Sequence, residues 1–343
     1  MALFEPELLG FLGLLNSNAT ELFVSAVSGT LNFTLGEIAK IPICDFPNGL
    51  VPVVEELVTI SRADWDNFET SWDFRDQPLL RSGQRLVNSG QQESGERPSL
   101  ATGHYPLSTT LEQSWRNWET QSTAAIRRMQ ELETENNRLF IAAYSLAGEL
   151  QPEVPEAQIT LARAEARKDM AAFLSYAVGC MMGRFSLSAP GLILADAGAT
   201  LEDYLRIVAA KTVASDQGPV TSEKASLDAA PQLATGHCSL TTEFHPDRDG
   251  ILPVLDGEWF DDDIVARTRD FLRATFGEAT LRENFRFLED SLGKDLRKYF
   301  LTDFYKDHLQ TYKKRPIYWL VQSPRKGFSV LLYLHRYTRD TMN

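Results

Sequence analysis

Cations suited to binding phosphate are concentrated near the C-terminal end of the chain. Residues 294–343 hold eleven Lys or Arg against four Asp, a net charge of +7, whereas the remaining residues carry −20. Because the phosphate backbone of a nucleic acid is bound through positive side chains, this asymmetry indicates an acidic body with a basic contact surface suited to phosphate. The candidate nucleic-acid contacts are Lys313, Lys314, Arg315, Arg325, Lys326, Arg336 and Arg339.

Aromatic residues are interleaved with these cations: Tyr312, Tyr318, Trp319, Tyr333 and Tyr337. Their rings are suited to stacking on bases or on guanidinium groups, and equally to forming the buried face of a hairpin. The cations, in turn, could dock on the acidic body of the protein or form a solvated face. Both pairs of alternatives stay open in the sequence.

Carboxylates cluster in two other places. The segment DWDNFETSWDF contributes Asp64, Asp66, Glu69 and Asp73, and paired carboxylates can perform acid–base catalysis. No basic or metal-binding residue lies close by in the sequence, so helix caps and contacts with ring edges are favoured, with Asp64 capping the turn that follows it. The run Asp261–Asp263 is predicted to cap a helix, because three consecutive residues face different sides of a helix.

Neither a catalytic nor a metal site is predicted. A near-repeat, PSLATGHYPLST (98–109) and PQLATGHCSLTT (231–242), contains His104 and His237. Neither histidine has a second ligand three or four residues away, so repeated loop sequence is favoured over a metal site. The sequence also lacks a G-x-x-x-x-G-K-[ST] phosphate loop, a G-x-S-x-G nucleophile elbow and an H-E-x-x-H metal motif.

The element pattern predicts a mainly α-helical fold with a smaller β component, of the α+β class. A hairpin is predicted where PIYWLVQ and FSVLLYLHRY flank SPRKG. An extended segment is predicted at 31–43. Helices are predicted from Glu7 to Val27, around 53–61, from a cap at Thr160 to Gly183, from Leu281 to Leu292 and from Lys294 to Tyr312.

A long helix is predicted between the two repeat-containing segments, because apolar residues alternate four and three positions apart over five heptads. Polar Ser122 and Asn136 in this seam would fix its register. An ordinary core helix and a projecting coiled-coil arm both fit the pattern. The seam comprises Leu111, Trp115, Trp118, Ser122, Ala125, Met129, Leu132, Asn136, Leu139, Ala143 and Leu146.

Composition shifts divide the chain into six predicted segments. They are the distal part of a target-recognition-like domain (1–48), a connecting helix with DWDNFETSWDF (49–81), a disordered insertion (82–110), a helical domain with the heptad helix (111–208), a second disordered insertion (209–243), and a helical region ending in the basic hairpin (244–343).

Four strings resemble a known family: DWDNFETSWDF, FLSYAVGCMMGRFSL, LGKDLRKYFLTDFYKDHLQTYKKRPIYWLVQSP and FSVLLYLHRYTRDT. They are similar to the PglX family, adenine-specific DNA methyltransferases of type 1 BREX phage-defence systems. The opening LLGFLGLLNSNATELF resembles the closing part of a target-recognition domain. The resemblance implies transfer of a methyl group from S-adenosylmethionine to adenine in double-stranded DNA, with other BREX proteins as partners.

The family's N-P-P-Y-type tetrapeptide, which holds the flipped adenine, does not occur in this sequence. The resemblance therefore implies no catalytic or cofactor-binding residue here, and we expect a piece of a larger enzyme that contributes DNA contact or docks the methyltransferase portion. A non-catalytic protein-interaction module, or a non-functional fragment, is the alternative. Three widely spaced cysteines and no signal peptide or membrane span favour a soluble, cytoplasmic protein.

Overall fold

The computed structural model describes residues 6–27, 34–81, 107, 109–216, 244–324, 328–339 and 341. Helices dominate, and three strands form one antiparallel sheet, so the predicted α+β class is confirmed. The chain divides into two compact units, Met1–Asp66 with Glu119–Ala164 and Asn67–Trp118 with Glu165–Asn343. Among the described residues, no helix is both long and apolar enough to cross a membrane.

The first unit is helical in its described part. The helix expected from Glu7 to Val27 is interrupted at Ser17, whose Oγ donates a hydrogen bond to the Leu14 carbonyl at 2.7 Å. This side chain competes with the helical backbone for its carbonyl and so favours a break. The helices of this unit are α1 (Pro6–Leu15), α2 (Asn18–Val27), α3 (Leu35–Ile38), α4 (Leu50–Trp65) and most of α5 (Leu111–Ala143).

Two predictions in this unit are wrong. Within the expected extended segment, Leu35–Ile38 form α3, and the described residues of this segment contain no strand. The Glu37 carboxylate accepts a hydrogen bond from the Thr34 N–H at 2.7 Å. This is the carboxylate half of a T-x-x-E capping box, a signal visible in the sequence. Asp64 caps no following turn, since α4 continues through it and its carboxylate accepts the Ala162 N–H at 3.2 Å.

The long helix α5 is a core helix along its seam. Ser122 Oγ donates to the Ala162 carbonyl at 2.7 Å, and Asn136 Nδ2 donates to the Gly13 carbonyl at 3.0 Å. Met129 and Leu132, between them, are buried. The two polar seam residues are therefore hydrogen-bonded within the first unit, which rules out a solvated projecting arm for this stretch.

The second unit contains the remaining helices. The cap expected at Thr160 is wrong: the helix begins at Ala166, and Asp169 Oδ2 accepts the Glu165 N–H at 2.9 Å. Gly293, with φ +67°, ends the helix over Leu281–Leu292 as predicted. The helix expected from Lys294 to Tyr312 instead begins at Leu296 and is divided by a π-helical turn. These elements are α6 (Ala166–Met181), α7 (Leu201–Asp216), α8 (Ile264–Phe276), α9 (Leu281–Leu292), α10 (Leu296–Tyr299), a π-helical turn (Phe300–Phe304) and α11 (Tyr305–Thr311).

The hairpin is confirmed and belongs to a three-stranded sheet of order β1-β3-β2. Its strands are β1 (Ile251–Leu255), β2 (Tyr318–Gln322) and β3 (Phe328–Tyr333). Tyr318 pairs with Tyr333, and Leu252 pairs with Leu331. The sequence did not predict β1, a short strand that contains Pro253. Proline is tolerated there because β1 lies at an edge of the sheet.

Asp263 fulfils the capping role predicted for the triple aspartate. Its Oδ1 accepts the N–H groups of Val265 and Ala266 at 3.0 and 2.8 Å. Its Oδ2 pairs with Arg297 Nη1 at 2.6 Å, and the Asp263 side chain is only 2% exposed. The same Arg297 nitrogen donates to the Leu255 carbonyl at 3.0 Å. One carboxylate thus begins α8 and ties it to α10 and β1.

Asp263→Ala is expected to lower the free energy of unfolding by about 3–5 kcal/mol, because it removes a cap and leaves the Arg297 charge buried without its partner. Asp262→Ala is the matched control. Asp262 is exposed, so its change should stay within about 0.5 kcal/mol. Equal losses for the two variants in urea denaturation would contradict this role.

Candidate nucleic-acid interface

The turn that leaves α11 carries three consecutive cations. Arg315 N–H donates to the Tyr312 carbonyl at 2.9 Å, which closes a four-residue turn. Its central residues Lys313 and Lys314 both have positive φ, +50° and +64°. This is the pattern of a type I′ turn, and we call residues 312–315 the basic turn. The side chains of Lys313, Lys314 and Arg315 are exposed, and none forms an ion pair within the described residues.

The backbone of the basic turn is costly for lysine. A left-handed conformation costs a residue with a side chain roughly 1–2 kcal/mol, and this position usually carries Gly or Asn. The turn is held by Lys314 N–H, which donates to the Leu309 carbonyl at 2.7 Å. Positive side chains at a helix C-terminus also interact favourably with the helix dipole, which is a structural role for the same charges.

The aromatic residues of the hairpin divide between its two faces. Tyr318 and Tyr333 lie on the inner face and are each 1% exposed, whereas Trp319 is 43% exposed. Trp319 and Val321 of β2 lie on the outer face with Val330 of β3, the partner of Val321. The buried-face alternative is therefore confirmed for Tyr318 and Tyr333, whereas Trp319 is exposed and its stacking stays a prediction.

Tyr337, beyond β3, belongs with the exposed set. It is 40% exposed, and its ring centroid lies 6.0 Å from that of Trp319. Phe328, at the start of β3, is 44% exposed and shares the outer face with Val330. We define the outer face as Trp319, Val321, Phe328 and Val330, with Tyr337 beside Trp319. Leu332, the partner of Trp319, is only 4% exposed and is not part of this surface.

The other predicted DNA contacts have different positions. The predicted DNA contact of Arg336 needs correction, because this residue is only 6% exposed. Its guanidinium donates to the Asp247 carbonyl at 2.6 Å and to the carbonyl of Arg248. These bonds use its charge inside the protein, so we remove it from the DNA-contact set. Arg339 is exposed. Arg325 and Lys326 lie outside the described residues.

A buried arginine that the sequence analysis missed lies behind the basic turn. Arg184 is 7% exposed, and its guanidinium carbon lies 5.9 Å from the ring centroid of Tyr312. The ring of His308 lies 4.8 Å from Tyr312 and 4.8 Å from Tyr318. The string FLSYAVGCMMGRFSL contains Arg184, but no local pattern distinguishes it from a surface arginine.

Glu69, from the DWDNFETSWDF segment, provides negative charge to this cluster. Its Oε1 accepts a hydrogen bond from Ser175 Oγ at 2.6 Å. Burial raises the pKa of Glu69, while the Ser175 hydrogen bond and the nearby charge of Arg184 oppose that rise. Burial, and then the charge of Glu69, raise the pKa of Tyr312. Glu69 therefore belongs to this cluster, in which its carboxylate accepts the hydrogen bond from Ser175.

His308 connects the cluster to the hairpin and is held neutral. Its Nε2 accepts the N–H groups of Ile317 and Tyr318 at 3.1 and 3.3 Å, so any proton must be on Nδ1. Burial, together with the charge of Arg184, lowers the pKa of His308 to about 4. The unfolded chain therefore binds a proton more readily than the folded one between pH 6.5 and pH 4.

The contribution of His308 to stability is fully present above the pKa of histidine in the unfolded chain and is lost as the pH falls below it. Between pH 7 and pH 5 the wild-type protein should therefore lose about 2 kcal/mol of its free energy of unfolding through His308. His308→Gln keeps an acceptor for the two amides and does not titrate. The variant should show a stability–pH slope that is shallower by this amount in chemical denaturation, and parallel slopes for the two proteins would contradict the neutral histidine.

Comparison with known proteins identifies two relatives. The chain is 32% identical over 347 residues to the adenine-specific methyltransferase PglX of Lacticaseibacillus casei (strain Zhang), covering 98% of this chain and 24% of that protein. It is 30% identical over 354 residues to the adenine-specific methyltransferase BrxX of Escherichia coli O9:H4 (strain HS), covering 99% of this chain and 26% of that protein. No protein-family model matches.

The similarity extends over nearly the whole chain, so it includes the basic turn, the hairpin and the cluster of Glu69, Arg184, His308 and Tyr312. The chain spans about a quarter of the length of these relatives. The resemblance drawn from the sequence strings is confirmed: the chain is similar to a part of the adenine-specific methyltransferases PglX and BrxX.

Proposed function

We propose that this chain contributes double-stranded DNA contact to a PglX-like, site-specific adenine methyltransferase acting in BREX phage defence. The basic turn makes that contact, and the sequence supplies Arg325, Lys326 and Arg339 as further candidate cations. S-adenosylmethionine would serve the whole enzyme, and other BREX proteins or the methyltransferase portion would be its partners in the cytoplasm. The names of the two relatives support the setting.

The observation that carries the proposal is the charge of the basic turn, which has no ion-pair partner in the part of the chain that the structure describes. Other cations of the C-terminal segment are neutralised inside the protein, as Arg297 is by Asp263 and Lys294 is by Asp303. Lys313, Lys314 and Arg315 extend into solvent from a backbone that is strained for lysine. Strain of this kind persists where the surrounding structure enforces it, and it is frequent at functional sites.

Methyl transfer is not assigned to residues of this chain. The reaction needs a motif that stacks the flipped adenine and bonds its amine, and a loop that holds the methyl donor. The sequence has no N-P-P or D-P-P string, so we derive no catalytic step from it. We expect the purified chain alone to leave DNA unmethylated.

The test is retention of duplex DNA by the full chain and by the triple variant Lys313→Gly, Lys314→Gly, Arg315→Gln. Glycine relieves the left-handed strain, so stability should be unchanged or raised by up to about 1 kcal/mol per glycine. DNA affinity should fall, and the slope of log K against log salt should become shallower by about 0.9 for each phosphate that the variant no longer neutralises.

A charge-matched control removes three cations from elsewhere in the second unit: Lys168→Gln, Arg206→Gln and Arg286→Gln. These side chains are 74%, 76% and 84% exposed, and each pairs with a nearby carboxylate. The control should retain the wild-type salt slope. If both triple variants weaken DNA retention equally, net charge rather than the basic turn is responsible, and the proposal fails.

One observation favours a second function, protein docking. Helix α1 exposes Leu8, Phe11, Leu12 and Leu15, at 52%, 38%, 38% and 47%. Their spacing of three and four residues places them on one face of the helix, opposite the buried Leu9 and Leu14. A contiguous apolar surface of this kind is typical of a protein–protein contact.

Leu8→Gln, Leu12→Gln, Leu15→Gln tests docking. Because these side chains are exposed, the free energy of unfolding should change little, while co-purification with a full-length PglX-type methyltransferase should be lost. Leu205→Gln, at an equally exposed leucine (50%), is the control and should leave co-purification intact. Docking would be favoured over DNA contact by two results together. The basic-turn variant would still retain duplex DNA, and the triple leucine variant of α1 would no longer co-purify with the methyltransferase.

A further inference from the structure

We infer that the outer face of the sheet binds unpaired nucleobases by stacking, with Trp319 as the main platform and Tyr337 and Phe328 as its neighbours. The inference rests on the proposed DNA contact and adds a ligand class to it. Duplex phosphates are bound by the basic turn, whereas bases released from pairing would lie on the aromatic residues of the outer face.

The first support is the exposure of these rings. Trp319, Phe328 and Tyr337 are 43%, 44% and 40% exposed, although tyrosines on the inner face of the same hairpin are almost fully buried. Large apolar side chains on strands are usually directed into a core. The open rings are therefore not required to fill the interior, which Tyr318 and Tyr333 already fill.

The second support is the arrangement of the face. Trp319 pairs with Leu332, and Phe328 lies four residues before Leu332 on β3. At about 3.4 Å per residue, the two exposed rings are separated by about 14 Å along the strand. Between them lie Val321 and Val330, also an outward-facing pair. The surface is an apolar strip with an aromatic ring at each end, long enough for several bases.

The third support is charge, which indicates the class of partner. Residues 313–339 contain no Asp or Glu, and Lys313, Lys314, Arg315 and Arg339 are their exposed cations among the described residues, since Arg336 is buried. Arg315 precedes Trp319 by four residues, so their Cα atoms are at most about 14 Å apart. A polyanion that presents flat rings satisfies both the cations and the aromatic strip, as single-stranded nucleic acid does. An apolar protein partner would leave these cations without counterparts.

The probes are an oligothymidine and an abasic oligonucleotide of the same length and charge, with binding to the full chain measured by fluorescence anisotropy. The wild-type protein should bind oligothymidine more tightly. Trp319→Leu should weaken oligothymidine binding by about 5- to 150-fold, the range for loss of one stacked base, and leave abasic binding unchanged. Trp319→Phe keeps a ring and should restore most of the preference.

Trp72→Leu and Trp259→Leu are controls, at tryptophans of the same unit that are 96% and 62% exposed, and both should keep the oligothymidine preference. Thermal unfolding of each variant shows that the fold is intact. Equal wild-type affinity for the two probes overturns the inference, as does equal weakening of both probes by Trp319→Leu. In either case, salt-sensitive duplex retention through the basic turn would stand, because it does not depend on the rings.

Discussion

The second unit depends on keeping guanidinium groups in its interior, and Arg184 is the one next to the basic turn. Arg184 is almost fully buried, and an isolated buried cation is very costly unless opposite charge and polar groups compensate it. The rings of Phe185 and Tyr312 lie within cation–π distance of the guanidinium, and Glu69 is the acidic residue near it. Because Tyr312 begins the basic turn, this compensation also fixes where the turn leaves α11.

The same constraint determines which cations are available to a ligand. Arg184, Arg297 and Arg336 use their guanidinium groups to join segments of the second unit, through ring contacts, a buried carboxylate and carbonyl oxygens, respectively. Lys313 and Lys314 have no such partner among the described residues, and their strained backbone keeps them at the end of a helix. The net charge of a segment is therefore larger than the charge that the segment exposes to a ligand.

Local signals predicted much of the fold and less of the site. The hairpin, the seam of α5 and the Asp263 cap follow from residue periodicity and side-chain chemistry within a few positions. Strand β1 was not predicted, because its pairing with β3 joins residues about eighty positions apart. Arg336 was misassigned for the same reason, since its burial depends on carbonyls near Asp247. The exposure of a side chain at a candidate site depends on contacts between residues that are far apart in the sequence.

The two faces of the hairpin depend on each other. In a strand, neighbouring side chains point to opposite faces, so Trp319 is exposed because Tyr318 is buried, and a slip of one residue would exchange them. Two interactions oppose that slip: the pairing of Tyr318 with Tyr333, and the two amides bound to His308 Nε2. Burial of the inner tyrosines compensates the cost of exposing the outer rings. Presentation of the outer face therefore depends on a neutral His308, although His308 itself contacts no ligand.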